Sequence, residues 1–249
     1  MLVLLPPSET KRVGGGLARL DLGSLALPGL RPQRESVLRA LEELSTDAAA
    51  ATRVLGLGVT QHSEIALNAA IRSAPTMAAI DRYTGVLYDA MDAASLDGSA
   101  RRWLGSNVLI QTAPLGPVGA LDRIPAYRLG AAVSLPGSAS LRRVWADAAS
   151  AGIADIGPRF VLDLRSEAYA ALGPVPASVS SVYVRVVSSG PDGAVRALNH
   201  SNKHAKGALV RALAVQRPRI GSLRAFREWA EAHGLRLRDG ARGEIELFA

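Results

Sequence analysis

The chain has 249 residues, 48% of them hydrophobic and 20% charged, with a mean hydropathy of +0.14 and a formal charge of +7. That composition is too apolar for a disordered chain, yet no apolar run reaches the roughly 18 residues a spanning helix needs. The absence of cysteine excludes disulfides, thiolate catalysis and Cys-based zinc or iron–sulfur centres. A cytoplasmic protein without a membrane partner, metal or cofactor is expected.

In chain order, Leu2–Leu5 reads as a buried strand, followed by the turn-forming Pro6-Pro7-Ser8-Glu9-Thr10-Lys11. Gly14-Gly15-Gly16 is a loop and no P-loop, because no Gly-Lys-Ser/Thr follows it. Residues 32–44 place Val37, Leu38, Leu41 and Leu44 on one helical stripe. Further helix is expected over 48–53, 63–72 and 76–94, making a helical subregion of about 32–104. Residues 108–111 read as a strand and 114–125 as a loop rich in Gly and Pro. Residues 160–164 and 182–187 read as strands, and Pro191-Asp192-Gly193 as a hairpin turn into a strand at 195–198. Helices over 203–216 and 222–233, the second capped by Ser222, precede a hairpin that pairs 235–238 with 244–248. No repeat or linker divides the chain, so one α+β domain over 1–249 is expected.

Charge is unevenly spread. Residues 1–125 hold 12 basic and 12 acidic side chains, whereas 126–249 hold 17 against 10 and carry the whole excess. Between 184 and 227 nine basic residues, among them Arg211 and Arg217, face Asp192 alone, a field that attracts phosphate polyanions. Equally, such a stretch is a solvated face in an arginine-rich chain. Arginine outnumbers lysine 26 to three, so the retained Lys11, Lys203 and Lys206 stand out. Only lysine can shed its proton and act as base or nucleophile.

Three segments could carry chemistry. Val54-Leu55-Gly56-Leu57-Gly58-Val59 has the form of a helix-hairpin-helix turn, whose amides at Gly56 and Gly58 could meet a phosphate; the plain alternative is a structural connection between helices. Tyr127-Arg128 could orient a phosphate or carboxylate, or Arg128 could simply pair with Asp122 to tie down a loop. Asp163, Ser166 and Glu167 follow a strand, where clefts form, and the polar run 199–207 holds Lys203 and Lys206 at the start of a helix. His200 and His204 stand four apart, but without a zincin glutamate they make no metal site.

Taken together, the chain resembles the YaaA family of peroxide-stress proteins. The landmarks are Leu4-Leu5-Pro6-Pro7-Ser8-Glu9-Thr10-Lys11, Tyr83-x-Gly85-x-x-Tyr88, Leu121-Asp122 with Tyr127-Arg128-Leu129, Leu164-x-Ser166-x-x-Tyr169, and Lys203-His204-Ala205-Lys206-Gly207. They stand in family order across nearly the whole chain. The resemblance implies a compact α+β fold with a mixed sheet, a positively charged cleft, a helix-hairpin-helix element, duplex DNA binding and a part in limiting oxidative damage linked to iron. The chain departs from the family at Leu115-Gly116, Gly119-Ala120, Gly130, Asp163-Leu164-Arg165 and Ala168, departures that fit a re-specialised cleft.

Two functions follow as expectations. The first is a DNA-binding protein of the peroxide response, in which Lys11, Arg128, Lys203, Lys206, Arg211, Arg217, Gly56 and Gly58 contact the nucleic acid or another anion. The second is an enzyme acting on a phosphorylated or carboxylated small molecule, in which Lys203, Lys206, Ser166 and Tyr127 are catalytic and a cleft lysine serves as base or nucleophile. A basic scaffold with neither activity is the third.

Overall fold

A computed structural model describes residues 1–189, 195–197 and 200–248. The strands are β1 (Leu2–Leu5), β2 (Met77–Ala78), β3 (Val108–Thr112), β4 (Gly116–Gly119), β5 (Arg123–Ile124), β6 (Val161–Asp163), β7 (Ser181–Ser189), β8 (Val195–Ala197), β9 (Leu237–Asp239) and β10 (Glu244–Phe248). The helices are α1 (Arg31–Leu44), α2 (Ala48–Leu55), α3 (Ser63–Ala69), α4 (Ala79–Arg82), α5 (Val86–Met91), α6 (Gly98–Asn107), α7 (Leu141–Ile156), α8 (Glu167–Ala170), α9 (His200–Gln216) and α10 (Leu223–Ala232). Among the described residues no helix is long and apolar enough to cross a membrane.

The main sheet runs β4-β3-β1-β6-β7-β10-β9, with β8 paired to β7. Its five middle strands are parallel, while β4, β8 and β9 run antiparallel to their neighbours. Central parallel strands are covered on both faces, which is why Leu2–Leu5 is apolar at every position instead of alternating. Leu2, Leu4, Leu109 and Val161 pack with Ile153 of α7 on one side of the sheet. Val3, Leu5, Ile110 and Leu162 enter the larger core on the other side, with Leu38, Leu87 and Leu213.

The mixed sheet and the α+β class agree with the sequence, and two local readings are corrected. Residues 76–94 do not form one helix. The segment breaks at Tyr83, which is extended, and at Gly85, whose φ of 94° disfavours other residues. A Cβ at Gly85 would lie 3.3 Å from the hydroxyls of Ser8 and Thr10, so the break lets this corner close on the turn after β1. Residues 114–125 are not a plain loop, because β4 and β5 lie within them. Their Gly content serves packing: Gly116 (φ 64°) lies under the buried Trp145, whose ring a Cβ would approach to 2.7 Å. A further helix, α7, occupies residues for which the sequence raises no expectation. Ser140 caps it, Leu141, Trp145, Ala149 and Ile153 form its buried stripe, and Gly157 ends it in the left-handed region. The Pro191-Asp192-Gly193 turn lies outside the described residues.

Candidate functional site

The order of the sheet determines where a site can form. From β1 the chain goes to β3 on one side, and through α7 it comes back to β6 on the other side. Such a switch point leaves room beyond the carboxyl ends of the two adjacent strands. The turn 6–11 follows β1 there, and the segment 164–169 follows β6.

Lys11 is the centre of this edge. Its backbone bridges to Tyr83, and Arg12 N–H donates to the carbonyl of Arg82 at 2.8 Å. Arg82 is buried and donates to the carbonyls of Ile124 and Pro75, which fixes the segment against which Lys11 lies. The Lys11 Nζ donates to the carbonyls of Ser8 (2.9 Å) and Glu9 (3.1 Å), and sits 4.2 Å from the ring centroid of Tyr127 and 5.6 Å from that of Tyr83. Burial, then repulsion by Arg128, push its pKa down to about 7, although Glu64 and Glu9 pull the other way. Lys11 therefore exchanges its proton near neutrality.

Two tyrosines, Tyr83 and Tyr127, face this amine, and Tyr88 packs 5.0 Å from the Tyr83 ring. The hydroxyls of Tyr83 and Tyr127 share a hydrogen bond of 2.7 Å, and Tyr88 donates to the carbonyl of Pro6 at 2.8 Å. Burial raises the pKa of each of these phenols. Tyr169 is only partly buried, and its pKa is raised to about 12, first by desolvation. Ser166, exposed, accepts the N–H groups of Tyr169 (3.0 Å) and Ala170 (2.8 Å) at its carbonyl, which shapes the turn that presents Tyr169.

Arg128 borders the same edge. The pair expected with Asp122 does not form: the Asp122 carboxylate accepts the N–H groups of Gly119 and Ala26, both at 2.7 Å. Asn68 clamps the backbone of Arg128 on both sides, accepting its N–H (2.7 Å) and donating to its carbonyl (2.8 Å). The guanidinium then meets Glu64 at 3.4 Å and Glu9 at 3.8 Å, too long for good hydrogen bonds. Arg34, Arg82 and Arg165, by contrast, donate their guanidinium protons to main-chain carbonyls or, for Arg165, also to Asp163 and Gln111.

The other predicted residues fall elsewhere. Lys206 is 5% exposed on α9, 5.6 Å from the Tyr183 ring centroid, and desolvation lowers its pKa to about 8. Lys203, one turn earlier, is exposed. Arg211 donates to the carbonyls of Met91 and Asp92 and to the Ser95 hydroxyl, and Arg217 to the Ser99 hydroxyl, so both bind within the chain. In the glycine turn, Gly56 N–H bonds Arg53, Leu57 N–H bonds Thr52, and Gly58 N–H bonds the Gln61 side chain. All three amides are engaged. Glu64 and Asn68 escaped the sequence reading, since a polar side chain on a short helix carries no signal of its own. The tyrosines did carry one: in a chain with 4% aromatic residues, every landmark tyrosine gathers here.

The chain is 43% identical to a UPF0246 protein of Corynebacterium efficiens over 218 residues (86% of this chain, 85% of that one). A UPF0246 protein of Streptomyces coelicolor is 43% identical over 223 residues (86% and 82%), and one of Corynebacterium glutamicum 38% over 239 (94% and 94%). The family signature described as peroxide stress protein YaaA matches residues 1–239. The chain belongs to that family.

Proposed function

We propose that this protein serves the peroxide response in the cytoplasm by binding and acting on a small anionic molecule at the Lys11 edge. The observation that carries this reading is Lys11 itself: in a chain of 26 arginines and three lysines, this lysine is held by two carbonyls against the rings of Tyr83 and Tyr127, with a proton that leaves near pH 7. An amine that must only be positive needs no such setting, whereas a base or nucleophile does. Arg128 supplies the anion-binding partner, because its guanidinium is positioned but not saturated. The reading moves the working amine from Lys203 to Lys11. Lys11→Arg keeps the charge and removes the titration, so peroxide survival of cells carrying it should fall to that of a deletion strain, with the fold intact by circular dichroism. Survival equal to the parent's would end this reading.

Binding of duplex DNA is the second reading, and one observation favours it. At the opposite, amino edge of the sheet a groove of about 370 Å³ is lined by Arg159, Arg217 and Arg219 with Trp103 and Asn107, and no acidic side chain lines it. The helix-hairpin-helix turn adds little to this reading, since a phosphate would have to displace Gln61 from Gly58. Here log affinity should fall with log salt by ~0.9 per phosphate neutralised. Arg159→Gln with Arg219→Gln should flatten that slope, and an unchanged slope would remove the groove from the account.

A further inference from the structure

We propose that Lys11 condenses with the carbonyl group of a small oxo-carboxylate to form a protonated imine, with Arg128 holding the carboxylate. The inference rests on the reading of Lys11 as the working group and names its substrate class.

Geometry carries the argument first. The two carbonyls of Ser8 and Glu9 take two N–H bonds from Nζ, at 2.9 and 3.1 Å. The nitrogen's one remaining position is a third proton in the ammonium and a lone pair in the amine. The amine is therefore oriented by two hydrogen bonds that do not consume its nucleophilic pair. Arg128 meets Lys11 at Glu9: Nζ bonds the Glu9 carbonyl, and the guanidinium faces the Glu9 carboxylate at 3.8 Å. Glu9 has 85% of its side chain exposed, so it is a weak and displaceable partner. A substrate carboxylate offers Arg128 a bidentate contact that neither Glu9 nor Glu64 makes. Carbonyl and carboxylate recognition thus lie side by side, which is the arrangement an oxo acid requires.

The chemistry balances without an added oxidant or reductant. The Nζ lone pair attacks the carbonyl carbon; the C–N bond forms as the C–O π bond breaks, and one proton passes from nitrogen to oxygen, giving a carbinolamine. The hydroxyl then leaves as water, taking a proton from Tyr169, while the nitrogen pair closes the C=N bond. Tyr169 recovers its proton from solvent. Its phenol suits this step, because it stays protonated up to about pH 12. At pH 7 an amine with a pKa near 7 holds on the order of a thousandfold more neutral form than an ordinary lysine.

The test uses the full chain with pyruvate, glyoxylate or uncharged propanal, each with sodium cyanoborohydride at neutral pH. Intact mass and peptide mapping then locate the reduced adduct. Pyruvate and glyoxylate should label Lys11 at least roughly tenfold faster than exposed Lys203, because the lowered pKa of Lys11 enlarges its neutral fraction and Arg128 holds the acid beside it. Arg128→Gln lifts part of the depression of the Lys11 pKa and so slows all three, but it should slow the two acids roughly tenfold more than propanal, which has no carboxylate to lose. Tyr169→Phe should slow all three. Two results overturn the proposal: Lys11 labelled no faster than Lys203 by either acid, or labelling by the acids that Arg128→Gln slows no more than labelling by propanal. These outcomes are separate from survival of the Lys11→Arg strain. Survival lost without an adduct keeps the Lys11 site and discards the imine, while full survival discards both.

Discussion

At the scale of single residues, the Lys11 amine leaves a signature in stability as well as chemistry. In the unfolded chain its pKa returns to about 10.5, while in the fold burial and Arg128 hold it near 7. Between these values the unfolded chain binds the extra proton, so stability rises with pH across that window and is lowest below pH 7. The groups facing the amine are Arg128 and Arg82, which depress it, Glu9 and Glu64, which oppose them, and the neutral phenols of Tyr83 and Tyr127. Lys11→Met removes this titration and keeps much of the apolar stem. The variant should therefore gain stability over the parent most at pH 6 to 7, with the gain fading toward pH 10. Urea denaturation of both proteins across that range measures the difference. Lys206, lowered to about 8, titrates in both proteins and cancels. A difference independent of pH would show that Lys11 is not depressed in the fold.

At the scale of elements, the sequence yields what rests on uniform patterns and conceals what rests on approach between distant segments. Leu2–Leu5 and the stripe on α1 were readable because apolar runs and 3.6-residue periods are local. α7 was concealed because its stripe is diluted by alanines and a glycine, and β4 because Gly and Pro usually mark loops. In the site, Lys11 and Arg128 were legible as unusual residues in motif positions. That Lys11 is partly buried while Lys203 is exposed is not legible in the sequence, since burial of the Lys11 amine depends on rings from 72 and 116 residues further along the chain. Gly207 shows the same limit. It reads as a helix weakness, yet it lets α9 press on α5, and a Cβ there would fall 2.1 Å from the Leu87 carbonyl oxygen. Gly207→Ala should destabilise by about 1–3 kcal/mol despite better helix propensity. Gly56→Ala, at φ 62° in open space, should cost only about 1 kcal/mol. Chemical denaturation of the two variants ranks them, and the reverse order would mean that α9 can shift away from α5.

At the scale of the whole molecule, an excess of positive charge is no measure of what is free to bind. The basic stretch 184–227 reads as a polyanion surface, but much of it is spent within the fold. Arg185 is tied to Glu244 and Glu167, Arg224 to Glu228 and Arg227 to Asp239. Arg211 holds the corner at Asp92, where a non-glycine residue adopts φ 43°, and so locks α9 to the end of α5. Pairs at the surface contribute little each, yet they fix side chains that a phosphate would otherwise recruit. Arg211 should therefore matter to stability before it matters to any anion. Arg211→Gln loses charge-assisted bonds to two carbonyls and the Ser95 hydroxyl, and should lower stability by about 1–3 kcal/mol. Its duplex DNA affinity, measured against salt where the variant is still folded, should keep the parent's slope. A slope flatter by ~0.9 with unchanged stability would reverse the assignment, making Arg211 a phosphate contact and its intramolecular bonds incidental.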